Sequence, residues 1–160
     1  LKNMLKAGKS QVLIAELLWW IFAAIFALFV LLPIYYYDIP YSFYKSNTVF
    51  VLLFILFLRW LFFWKLTPYA RFQYLKFAMI ILMMPVFFFS FETFYDFKAL
   101  IDDIGLQEIT SHLPIDDQEG IGNYIRSEMV FFSVATMICT VCLVPHLIWS
   151  IWKQHNRGEA

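Results

Sequence analysis

The chain is 160 residues long, with 62% hydrophobic and only 15% charged residues, where soluble domains carry roughly a quarter charged. Its 19 Phe, 9 Tyr and 6 Trp are more than one core of this size can bury without leaving large apolar patches, which excludes a water-soluble domain. Net charge is zero, but only by cancellation: residues 94–128 hold eight acids against Lys98 and Arg126, leaving the remainder basic.

Residues 1–12 read as a short lead-in segment, with Met4, Leu5 and Lys6 placed to lie at a membrane interface. Four apolar stretches follow: Leu13–Ile34, Thr48–Leu66, Tyr74–Phe94 and Ser127–Trp152. A hydrocarbon core about 30 Å thick needs about 20 helical residues at about 1.5 Å each, so every stretch can cross a bilayer. The first is too long for a typical signal-peptide core and is followed by no small-residue cleavage site, so it is expected to stay as a span.

Pro33 and Pro40 are expected to end the first helix and shape the turn beyond it. Tyr35, Tyr36, Tyr37, Tyr41 and Tyr44 match an interfacial aromatic belt there, whereas Trp19 and Trp20 lie deeper than such a belt. Trp60, Trp64 and Lys65 anchor the second helix, Pro68 stops it, and Tyr69–Lys76 reads as a tight basic turn. Past Phe94 the third helix is expected to project from the membrane, because Phe97, Leu100, Ile101 and Ile104 recur at helical spacing until Gly105 breaks the pattern. Leu106–Leu113 reads as a second amphipathic piece ended by Pro114. Asp116 or Asp117 can then cap a helix that starts near Gln118 and runs into the fourth span.

The chain therefore divides into an N-terminal segment (1–12), three spans (13–93), an acidic loop with short amphipathic helices (94–126), a fourth span (127–152) and a tail (153–160). Together these make one membrane domain: an all-α, four-transmembrane-helix bundle with a small helical extracytoplasmic cap. Lys2, Lys6 and Lys9 precede the first span, Lys65, Arg71 and Lys76 separate the second from the third, and Lys153 and Arg157 follow the fourth. Alternating spans put all of these on one side, and an excess of Lys and Arg marks the cytoplasmic side. Both termini are thus expected in the cytoplasm. Compact loops without N-x-S/T sequons suit a bacterial inner membrane.

Polar residues inside the spans carry the functional question. Glu16 lies seven residues after Lys9, Arg59 six before Lys65 and His146 seven before Lys153, so each sits roughly 10 Å inside the boundary those lysines mark. An unpaired charge at helix-centre depth costs on the order of 3 kcal/mol, which favours mutual neutralisation within the layer. Glu16, Arg59 and His146 are the candidate intramembrane polar site. It reads either as a site for a small anion, a proton or a substrate, or as an ion pair that fixes helix register; the second is the expectation. At the other end Glu92 and Arg126 form a candidate outer pair, and Ser90, Thr93, Ser133 and Thr136 are placed to hydrogen-bond across helices. Pro85 and Pro145 free the carbonyls of Ile81 and Val141 and mark expected kinks, which can line a polar cavity.

Cys139-Thr140-Val141-Cys142 resembles the CxxC that quinone-linked disulfide enzymes and vitamin K epoxide reductases carry within a four-helix membrane core. The resemblance covers those four residues alone. Cys139 and Cys142 lie roughly 16–21 Å from Lys153, at mid-bilayer, and no second cysteine pair exists to relay electrons, so both thiols are read as structural. Only His146 among three histidines falls within a span, and a bis-His haem would need a second ligand from another subunit. No Gly-rich phosphate loop, zinc-ligand spacing or nucleophile elbow is present, and no repeat links the halves. No cofactor, metal site or catalytic residue is expected.

The expected function is a non-catalytic subunit or accessory component of a membrane complex. Its partners are membrane lipids and other membrane subunits, or copies of itself in a homo-oligomer, with no nucleic acid. The alternative is a small oligomeric transporter or channel built on the Glu16, Arg59 and His146 layer. A third reading, an intramembrane lipid- or quinone-linked enzyme, finds no well-placed acid–base pair or nucleophile.

Overall fold

A computed structural model describes residues 9–40 and 42–156. Expectations for Lys2, Met4, Leu5, Lys6, Tyr41 and Arg157 fall outside these residues, as does the Arg71 side chain. The chain folds as α1 (Lys9–Tyr36), α2 (Tyr44–Phe63), α3 (Gln73–Asp103), α4 (Leu106–Ile109) and α5 (Ile115–His155), with two 3₁₀ turns, Trp64–Leu66 and Pro68–Arg71, between α2 and α3. No strand occurs among the described residues. All of these helices except α4 are long and apolar enough to cross a membrane, so this is an integral membrane protein with an all-α bundle.

Helix ends differ from expectation for local reasons. Pro33 lies inside α1 and does not end it; the helix runs on to Tyr36. Termination comes at Asp38, in the left-handed region at φ 47°. Ile39 N–H then donates to Ile34 O (3.3 Å) and Asp38 N–H to Tyr35 O (3.3 Å), the paired bonds of a Schellman cap. Ile34 and Ile39, the two residues such a cap brings together, are both buried, and the Tyr44 hydroxyl bonds the carbonyls of both. That tether starts α2 at Tyr44, ahead of the expected Thr48, so Lys45 and Asn47 are helical. At the far end of α2, Thr67 is extended, as a residue preceding proline must be, and Pro68 opens the second 3₁₀ turn. Lys76 is no turn residue: it lies in the first turn of α3 and is 2% exposed.

Gly105 breaks the third helix as its sequence implies, at φ 84°. Beyond it α4 is only one turn, because Thr110 and Ser111 hydroxyls cap the carbonyls of Leu106 and Glu108. α5 begins at Ile115, earlier than Gln118, with Pro114 at the cap position and no side-chain cap. Asp116 and Asp117 fall instead in its first turn, where the helix dipole favours negative charge.

α5 is the central element and packs against both α2 and α3, while α1 lies mainly on α2. Its buried residues Gly122, Ile125, Met129, Phe132, Ser133, Thr136, Cys139, Thr140, Leu143 and Leu147 recur every three or four positions, the stripe a helix presents to its neighbours. α1 buries a narrower line, Glu16, Ala23, Ala27, Leu31 and Ile34, whose two alanines allow close approach. The main apolar cluster joins Leu31, Ile34, Phe50, Phe97, Ile125 and Met129 to Ile109 of α4, so the cap shares the core of the bundle.

Candidate functional site

Buried polar groups collect at two levels. Near the end where α1 begins and α5 finishes, Arg59 Nη2 donates to Glu16 Oε2 at 2.5 Å. Both residues are buried, at 2% and 6% exposure. Trp19, one turn after Glu16, places its ring 5.2 Å from Arg59 Cζ in a cation–π contact. The tryptophan too deep for an aromatic belt is therefore a lid on the guanidinium. Tyr69, in the second 3₁₀ turn, lies close enough to feel both charges. Burial, reinforced by the Glu16 carboxylate and opposed by the Arg59 guanidinium, holds its phenol above the usual value. Glu16 Oε1 and Arg59 Nε find no partner among the described residues, so one short bond carries the pair.

His146 does not join them. Its ring stands edge-on to Trp64 (centroids 6.5 Å apart, planes at 83°) and lines a different space. Equal depth fixes a level, not a direction around the bundle. The space His146 lines is a cavity of about 600 Å³ between the ends of α2 and α5, walled also by Trp64, Lys65, Trp149, Ser150 and Lys153. Ser150 sits at its edge as a hub: its hydroxyl oxygen accepts from Trp64 Nε1 (3.1 Å) and from Lys76 Nζ (3.1 Å). Lys76 also donates to Gln154 Oε1 at 2.6 Å.

At the cap end, the sequence expectation needs correction. Glu92 and Arg126 form no ion pair and both are exposed. Each lies one residue, about 100° of rotation, off its helix's packing stripe, beside buried Thr93 and buried Ile125. Arg126 instead lines a groove with Lys98 and Asp102. The buried acid here is Glu128, whose Oε2 accepts from Asn47 Nδ2 at 2.5 Å and ties α5 to α2. Asn47 is fully buried and Glu128 nearly so, while Asn47 Oδ1 and Glu128 Oε1 are unpartnered among the described residues. A stripe count from Ile125 would have found Glu128; its nearness to the acidic loop hid it. Of the four hydroxyl residues expected to bond across helices, Thr136 does so, donating to Phe50 O at 3.2 Å. Ser90 and Ser133 bond back to Val86 O and Met129 O of their own helices.

The remaining sites are quickly placed. Cys139 is buried in the apolar seam and Cys142 is exposed, and both are free thiols. Pro85 and Pro145 lie on outward faces inside α3 and α5, which run on past them, so the carbonyls they free belong to exposed Ile81 and Val141 and not to an internal cavity. Among the described residues, no three His, Cys, Asp or Glu converge to hold a metal ion. Comparison of the chain with protein-family models, with curated proteins and with solved structures finds no match.

Proposed function

We propose that this chain is a non-catalytic subunit of a membrane assembly, a helical scaffold with both termini on the cytoplasmic side of a bacterial inner membrane. One observation carries the reading: buried ionisable groups are occupied in joining the chain's own helices. Glu16 with Arg59 ties α1 to α2, Asn47 with Glu128 ties α2 to α5, and Lys76 with Ser150 and Gln154 ties α3 to α5. Each spanning helix is thus cross-tied by a polar bond, fully buried in the Glu16–Arg59 and Asn47–Glu128 pairs. The orientation is supported by the Lys and Arg excess at the end that carries Lys65 and Lys153. The transport alternative draws on Glu16, Arg59 and His146 as one layer, and His146 faces Trp64 instead.

Native mass spectrometry of the untagged chain, gently extracted from its own membranes, tests the proposal. A defined hetero-assembly of fixed stoichiometry is expected. A lone homo-oligomer that moves a solute when reconstituted in vesicles would replace the scaffold reading with the transport one.

A further inference from the structure

We propose that the cavity between the ends of α2 and α5 holds the phosphate headgroup of an anionic membrane phospholipid. Ser150 Oγ accepts from both Lys76 and Trp64, so its two lone pairs are taken and its own proton must be donated. Among the described residues nothing accepts that proton. Lys76 has three N–H groups and uses two, on Ser150 and Gln154, with no carboxylate beside it although it is 2% exposed. Lys65 and Lys153 line the same cavity and, among the described residues, are in no ion pair and share its wall with no acid. Two lysines and the Ser150 hydroxyl therefore line one space that offers few acceptors, with Lys76 bound to Ser150 behind the wall.

At the same end of the bundle, outside the wall of this cavity, Arg59 Nε, Trp60 Nε1 and Gln73 Nε2 are buried donors without acceptors among the described residues, against one orphan acceptor, Glu16 Oε1. A phosphate diester supplies several acceptor oxygens and a negative charge to donors that converge from different directions. The rest of the wall decides the source of that phosphate. Phe62 and Trp149 are 75% and 61% exposed on the surface that adjoins the cavity, an apolar flank suited to an acyl chain and useless to a free ion. Basic pockets between spanning helices are the usual seats of anionic headgroups, and a choline head would meet repulsion from both lysines.

The test is native mass spectrometry of the purified chain in mixed micelles of phosphatidylglycerol and phosphatidylcholine. One phosphatidylglycerol should be retained in preference to phosphatidylcholine. Lys65→Gln/Lys153→Gln changes two exposed side chains and should weaken retention by about fivefold per lysine, about 25-fold together. Lys45→Gln/Lys98→Gln removes the same charge at the other end and should leave retention unchanged. Added inorganic phosphate should not displace the lipid. Equal retention of both lipids, equal loss in the two double variants, wild-type retention by Lys65→Gln/Lys153→Gln, or displacement by inorganic phosphate would each overturn the proposal.

Discussion

Arg59 is the largest fully buried side chain among the described residues, and it is tolerated because Glu16 neutralises it and Trp19 covers it. Removing one partner strands the other, which for a buried pair costs about 3–5 kcal/mol. Glu16→Gln should therefore lower unfolding stability in micelles by about that amount, and Glu16→Arg with Arg59→Glu should recover part of it. Strictly additive losses across that cycle would mean the two side chains do not interact. The second pair is weaker because it holds one charge at most: Asn47→Ala should cost about 1–3 kcal/mol by leaving Glu128 without its donor. Glu128→Gln keeps an acceptor oxygen for Asn47 and should cost less, by the same measurement. Depth arithmetic from Lys9 and Lys65 located Glu16 and Arg59 because interfacial lysines are good markers of level. It misassigned His146 because level says nothing about azimuth, and it passed over Asn47 and Glu128 because polar residues near span ends read as interfacial.

Each spanning helix was legible from hydropathy, since length and apolar composition demand it, but the ends were set by contacts that a local reading does not contain. α1 outlasts Pro33 because its stop is the Schellman cap at Asp38, locked by Tyr44 from the next helix. Asp38→Gly removes the cost of a left-handed L-residue, about 1 kcal/mol, and should raise stability, whereas Asp38→Val should lower it. Gly122 is the matching case on α5: a Cβ there would lie 3.4 Å from Leu106 Cβ, so α4 rests directly on the glycine. Gly122→Leu should lift α4 away, read as faster amide exchange at residues 106–110 with the spans unaffected. On the same helix the two cysteines differ in surroundings. A lipid-soluble alkylating reagent should modify exposed Cys142 well before buried Cys139.

At the scale of the whole molecule, α5 acts as a mast to which α2 and α3 are tied, and α1 is held to α2 by a charged bond and a line of small residues. The outward faces of α1 and α3 are apolar over most of their length, with Leu17, Leu18, Phe29, Ile81 and Phe88 all exposed. Under the proposed scaffold function the buried charges serve shape, so their polarity should be interchangeable where their chemistry would not be. The most direct test is to express the chain carrying Glu16→Arg and Arg59→Glu in place of the wild type and to weigh the assembly extracted from those membranes. The account predicts a hetero-assembly of the same mass as that formed by the wild-type chain. A reversed chain that folds with near-normal stability yet drops out of that assembly, or a wild-type chain found only with copies of itself, would contradict it.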